Sequence, residues 1–304
     1  VNKKINALLF EGNRLQEQGL FDDAILCYNK ALEVGGENVE VMNEKATTYL
    51  KMGDLDQAIS LYKQIISIEE NFPRAYQGLG TAYAQLGDIP LAKRNCMKVL
   101  ELEPHNVQVH YDVGALYLEE GSFEIAKSYF ESGIKINQKF IKNYLGLAKY
   151  HEQQGSEKNA LNVYREAIKH NPNQTFLYLT AGDFCLKHDL FSAAEAIFEK
   201  AISINEGHLH LYNRMGIALR KQKKYDKAIE NYQKALKINS KEPNLYFNLS
   251  KAHYLKGDEH SAVSELLRGF KLCPDLDNWL KFEEDTCFSK LIAKHPDKFK
   301  KPLM

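Results

Sequence analysis

Residues 73–104, PRAYQGLGTAYAQLGDIPLAKRNCMKVLELEP, carry two helical patterns divided by one glycine. Tyr76, Leu79, Gly80 and Tyr83 fall on one face of a first helix, and Ala92, Cys96, Val99 and Leu100 on one face of a second, with the helix-breaking Gly87 between them. Pro73 opens the first helix, Pro90 lies in the first turn of the second and Pro104 follows its end. A helix-turn-helix of this length cannot bury its own apolar face, so neighbouring copies are expected.

The copies are present. In a 34-residue register that starts at Ile5, eight repeats run without insertion over 5–38, 39–72, 73–106, 107–140, 141–174, 175–208, 209–242 and 243–276. Position 20 is alanine in all eight (Ala24, Ala58, Ala92, Ala126, Ala160, Ala194, Ala228, Ala262). At about one alanine in twelve residues, chance alone would give this roughly once in a billion trials. Position 8 is always small, from Gly12 to Ser250. Position 15 is glycine in all repeats but two, which carry Asp189 and Lys223, and position 24 is aromatic in most repeats. Small residues at 8 and 20 let the two backbones approach, and large residues at 4 and 24 fill the space beside that contact.

These residues resemble the tetratricopeptide repeat family, whose pattern is clearest in the third repeat as Tyr76, Leu79, Gly80, Tyr83, Gly87, Ala92, Cys96, Val99 and Pro104. The resemblance implies an all-α fold, an α-solenoid in which the eight repeats wind into a right-handed superhelix. Residues 1–4 are set apart as a leader, and Val1 in place of an initiator Met suggests a cut from a longer chain. Residues 277–304 are expected to form a capping helix and tail, with Leu276, Trp279 and Leu280 leading to a short second helix around Phe288, Leu291 and Ile292 that ends before Pro296.

Charge and cysteine use narrow the function. Lys plus Arg and Asp plus Glu are 40 each, so the chain has no global footprint for nucleic acid or anionic membrane, although from Leu209 onward basic residues lead acidic ones by 19 to 12. Cys27, Cys96, Cys185, Cys273 and Cys287 are odd in number and show no CxxC spacing, which argues against a disulfide framework and for a reducing, cytoplasmic setting. No apolar run reaches membrane-spanning length.

Catalytic fragments dissolve against the register. HEQQG at His151 lacks the second histidine of a zinc helix, and His151 takes core position 11. GLGTAY at Gly78 lacks the third glycine and the strand of a dinucleotide site. No catalytic residue, metal site or cofactor is assigned, and no enzyme activity is expected.

In the resembled family, positions 2, 5, 9, 12 and 13 of the first helices line a binding groove. Applied here, that expectation has a polar part, Asn13, Asn43, Thr47, Gln77 and Thr81, whose amides and hydroxyls suit an extended peptide backbone. It also has an apolar and basic part: Tyr111, Leu145, Phe176, Leu179, Asn213, Ile217, Arg220, Lys221, Phe247, Lys251 and Tyr254. Exposed apolar side chains at lining positions mark an interaction surface, and the cations there would meet acidic groups. The carboxylate clamp by which some family members hold chaperone tails is not reproduced, because Leu9 and Glu44 replace two of its residues. The chain is therefore expected to be a non-catalytic scaffold or adaptor that binds a protein or peptide, with a signalling role suggested by analogy to bacterial regulators. A nucleic-acid-binding helical array and the targeting arm of an enzyme encoded elsewhere are the alternatives; against the first stand zero net charge and a lining that does not repeat. The partner and oligomeric state stay open.

Overall fold

The computed structural model describes residues 2–273 and 285–299. Among these residues there are seventeen helices and no strand. They are α1 (Asn2–Glu17), α2 (Phe21–Gly35), α3 (Val39–Met52), α4 (Leu55–Ile68), α5 (Pro73–Gln85), α6 (Ile89–Leu102), α7 (Val107–Glu119), α8 (Phe123–Ile136) and α9 (Ile141–Gln153). There follow α10 (Glu157–His170), α11 (Thr175–Lys187), α12 (Phe191–Ile204), α13 (Leu209–Lys221), α14 (Tyr225–Ile238), α15 (Pro243–Lys256), α16 (Glu259–Leu272) and α17 (Thr286–Lys294). From α3 to α16 every helix starts at repeat position 1 or 17. The first helix is longer: α1 begins at Asn2, so residues set apart as a leader form its first turn.

The chain divides within α10 into two compact units, residues 1–163 and 164–304. In each half the fold is a tandem array of helical pairs, in which α1, α3, α5, α7, α11, α13 and α15 each pack on the second helix of their own repeat. The core follows the register. All eight position-20 alanines have no exposed surface, and Tyr28, Phe130, Phe198 and Tyr232 at position 24 are likewise fully buried.

Close approach explains the small residues. A Cβ on Gly114 would lie 2.6 Å from Phe130, and one on Gly146 of the next repeat 2.4 Å from the same ring. Tyr62 is held in the same way by Ala46 and Gly78, where an added Cβ would stand 2.2 Å from the ring. Each floor ring thus needs a gap at position 8 of its own repeat or at position 6 of the following one.

The turn at position 15 is one device repeated eight times. The amide of position 16 donates to the carbonyl of position 11, as in Asp54 to Tyr49 (3.0 Å), Leu190 to Cys185 (2.8 Å) and Lys224 to Leu219 (2.9 Å). This is a Schellman closure and it needs a left-handed residue at position 15. Asp189 (φ 56°) and Lys223 (φ 64°), the two departures from glycine, adopt the same conformation as Gly53 (φ 83°) and Gly257 (φ 96°). The geometry is therefore imposed by the repeat even where the residue opposes it.

At the C-terminal end, α17 buries Phe288 and Leu291 in a cluster with Phe247, Val263, Leu266 and Phe299. Asp285 caps its N-terminus by accepting from the Cys287 amide (2.9 Å), and pairs with Lys251 of α15. Glu259 holds the other end through Lys294 and His295, each at 2.8 Å. The expected short helix ending before Pro296 is thus in place. The expected helix through Leu276, Trp279 and Leu280 lies outside the described residues.

Candidate functional site

First helices stand side by side within each half, and shallow depressions lie between consecutive ones. In the first half they occur between α3 and α5 (≈ 300 Å³), α5 and α7 (≈ 210 Å³), and α7 and α9 (≈ 500 Å³). The floor of each is the position-24 side chain, in turn Tyr62, Cys96 and Phe130. Position 6 of the following helix decides how far the floor is open, and it is Gly78, Asp112 and Gly146. Neither position belongs to the expected lining set. The available signal was a glycine in the interior of a helix, at Gly78 and Gly146, which costs about 1 kcal/mol of helix propensity and so needs a reason.

The polar part of the expected groove comes together between α3 and α5. Asn43, Thr47, Gln77 and Thr81 all line that depression. Thr47 shares a 3.1 Å hydrogen bond with the Tyr62 hydroxyl, and burial keeps Tyr62 a phenol by raising its pKa. Asn43 is only 4% exposed; its amide nitrogen donates to Glu44 at 3.3 Å, and its oxygen has no hydrogen-bond partner. A buried amide acceptor left unpaired costs about 1–3 kcal/mol, and this oxygen has essentially no surface open to the hollow. Glu44, which would repel a carboxylate, is paired with Arg74 at 3.6 Å, and Arg74 also pairs with Glu40. Asn13 lies one repeat earlier and accepts from the Tyr28 hydroxyl at 2.8 Å.

Between α5 and α7 the floor is a thiol rather than a ring. Cys96 is buried, and desolvation pushes its pKa up to about 12, so it is an inert small apolar group at neutral pH. Burial also raises Asp112 above the ordinary 3.8, against the pull of a Gln108 hydrogen bond (2.7 Å) and nearby Lys142. Ala84, Ala115 and Leu116 complete an apolar hollow whose rim carries Asp112 and Glu119. Between α7 and α9, Tyr111 and Leu118 stand over Phe130 with Lys149 and Gln153 opposite. Leu145 is half-buried on α9 and lines none of these hollows.

The apolar and basic residues expected in the second half separate. Asn213 and Ile217 line a depression of ≈ 450 Å³ between α13 and α15, where Asn248 donates to Asn213 at 3.0 Å. Its cation is Arg214, already 2.7 Å from Asp183. Arg220 lies beside the buried Tyr232, whereas Lys221 sits 5.8 Å over the Phe191 ring of the preceding repeat's second helix. These adjacent cations therefore diverge. Phe247 is buried against Phe288, Tyr254 packs on the same cluster, and Lys251 is spent on Asp285. The cap thus takes three residues that were expected to face a partner, because α17 lies against the face of α15 that presents them. Phe176 remains 45% exposed and Leu179 half-buried on α11.

Three family models match. One described as "TPR repeat" covers residues 46–87 and 216–257; one described as "Tetratricopeptide repeat" covers 27–60; another of that description covers 73–106, 107–140 and 141–174. The last three spans coincide with the third, fourth and fifth repeats read from the sequence. No curated protein matches the chain. Among solved structures, a thermophilic TPR protein of Thermus thermophilus is 20% identical, with a TM-score of 0.52, covering 60% of this chain and 99% of its own. A tetratricopeptide repeat protein from Parabacteroides merdae is 19% identical, with a TM-score of 0.53 over 81% and 98%. The C-terminal part of a TPR repeat-containing protein from Cytophaga hutchinsonii is 16% identical, with a TM-score of 0.58 over 79% and 99%. At these identities the likeness is one of fold.

Proposed function

This chain belongs to the tetratricopeptide repeat family, a family of protein-interaction scaffolds, and we propose that it binds an extended peptide of a partner along the first helices of its first half. The observation that carries this reading is the convergence of Asn43, Thr47, Gln77 and Thr81 on the hollow between α3 and α5, whose floor Gly78 leaves open. The hollow thus offers both donors and acceptors to a peptide backbone. Apolar side chains of the same peptide would then enter the hollows over Cys96 and Phe130. Paired Arg214 and Lys251 and the divergence of Arg220 from Lys221 move the site away from the second half, so acidic residues are a smaller part of the recognition than apolar ones.

The scaffold is read as non-catalytic and cytoplasmic. Supporting the second point, the five cysteines form no disulfide among the described residues, as suits a reducing compartment. The test is selection of peptides from a random 12-residue display library on the wild-type chain, followed by fluorescence anisotropy. Paired Asn43→Leu and Gln77→Leu substitutions should weaken the selected peptides about tenfold or more. Equal affinity for wild type and variant would sink the assignment.

A further inference from the structure

The outer helices of the second half carry a notch that the groove does not use. It is a depression of ≈ 340 Å³ between the end of α10 and α12, with Tyr178 of α11 at its base. Ile168, Ala193, Ala196 and Ile197 supply the apolar surface, and Arg165, Lys169 and Lys200 stand around it.

The notch lies where the sixth repeat carries small residues, Ala193 and Ala196 on α12 and Cys185 in the last turn of α11. In the first half, Tyr83 at position 11 lies under Lys63 of the preceding repeat (5.9 Å). At the next junction Tyr117 stacks on Tyr129 (5.8 Å, 8°), and the Tyr129 hydroxyl reaches Met97 at 3.2 Å. Those rings fill the space between successive second helices. In the sixth repeat position 11 is Cys185 and position 23, where Tyr129 stands in the fourth, is Ile197, with Ala193 and Ala196 beside it at positions 19 and 22. The other repeats carry Asp23, Gln57, Leu91, Ile125, Asn159, Lys227 or Ser261 at position 19, and Leu26 or polar and charged residues, from Ser60 and Arg94 to Ser264, at position 22. The sixth repeat alone joins two alanines with Ile197 on this face.

Some cations of the second helices, Lys93, Lys98, Lys127 and Lys234, are each in an ion pair with a nearby carboxylate, and others are not. Arg165, Lys169 and Lys200 are exposed and make no ion pair among the described residues, although Glu166 and Glu199 adjoin them in sequence. Three cations kept free around an apolar hollow repel one another by Coulomb interaction, and an acidic partner relieves that repulsion.

We propose that this notch is a second docking surface, and that it takes an amphipathic helix of a partner protein whose aliphatic ridge is flanked by Asp or Glu. Ala193, Ala196, Ile197 and Lys200 stand at i, i+3, i+4 and i+7, so they share one face of α12. Alanines on that face let a second helix axis come close, its Leu or Ile entering over Ile168 and Ile197 while its carboxylates reach Lys169 and Lys200. The surface is separate from the α3–α9 hollows, so the chain would hold two partners, or two parts of one, together.

The experiment is display selection of a helical peptide library on the full chain, with counter-selection on Ala196→Trp. Ala196 is exposed, so the indole fills the notch without entering the core, and an unchanged melting temperature verifies this. Clones that bind wild type but not Ala196→Trp should pair aliphatic residues with acidic flanks. Lys169→Glu with Lys200→Glu should weaken them about tenfold or more, while the Asn43→Leu and Gln77→Leu variant binds them normally. Raising the salt concentration should weaken them as well. The proposal is overturned if no clone depends on the notch, if dependent clones lack acidic flanks, or if Ala196→Trp instead abolishes a concentration-dependent dimer of the chain.

Discussion

Replacing Cys96 with tyrosine tests how the groove floor is built. The template is one repeat earlier, where Tyr62 is 1% exposed and its hydroxyl lies 3.1 Å from Thr47. In the third repeat position 9 is again a threonine, Thr81, whose hydroxyl donates to the Gln77 carbonyl at 3.0 Å and so keeps lone pairs free to accept. Position 8 is Gly80, smaller than the Ala46 that already tolerates a ring, and the ≈ 210 Å³ hollow over Cys96 gives the ring a place. A tyrosine there removes about 60–80 Å² more apolar surface from water than the thiol, worth roughly 1.5–2 kcal/mol. A hydrogen bond to Thr81 adds about 1 kcal/mol, and ordering the side chain beside the half-buried Asp112 costs about as much. The expected net gain is about 1–2 kcal/mol, read as a higher urea midpoint and slower amide exchange in α5 to α7. The same variant should lower affinity for peptides that use this hollow. A loss of 1 kcal/mol or more would refute the reasoning, because it would mean that Asp112 and Thr81 close the site against a ring.

Gly78→Ala should destabilise by about 1–2 kcal/mol net, since a Cβ 2.2 Å from Tyr62 meets a ring backed by Ala46, and the gain in helix propensity recovers only about 1 kcal/mol; urea unfolding measures it. Lys223→Gly should stabilise by roughly 0.5–1 kcal/mol, because Lys223 holds φ 64° where glycine is unstrained. Calorimetry of the two proteins decides that case, and an unchanged midpoint would show the strain to be absent. Asp285→Ala should cost about 1–2 kcal/mol and deprotect the amides of residues 286–294 alone, as the cap and the Lys251 pair are lost together. Burial pushes the Asp285 pKa up, but the Lys251 and backbone bonds outweigh it and leave the folded value below the ordinary 3.8. The stabilisation is therefore complete above that value and disappears as pH falls through the lower one, so exchange in α17 should accelerate only on strong acidification.

Most of the fold was legible in the sequence. The 34-residue period, the alanine at position 20 and the glycine at position 15 placed the helices from α3 to α16 at their observed starts. Such signals are local: each helix pair meets only its neighbours, so the residues that make a contact recur at a constant spacing. Even the two departures obey the rule, for Asp189 and Lys223 take the left-handed turn that the closing hydrogen bond demands.

The candidate site was legible only in part. Asn43, Thr47, Gln77 and Thr81 share one hollow, as their register suggested. The role of Gly78 and Gly146 in opening that floor depends on which ring the next helix covers, a contact between repeats that no single repeat reveals. Lys251 and Phe247 occupy lining positions, yet Asp285 and Phe288 of a segment outside the repeat claim them. Arg220 and Lys221 are neighbours in sequence, but a step of about 100° around the helix directs one to Tyr232 and the other to Phe191. The sequence alone determined which positions are core, because core packing repeats with the period. Which lining side chains stay free for a partner was decided by the tertiary structure, through long-range contacts made by α17 and by neighbouring repeats that have no period.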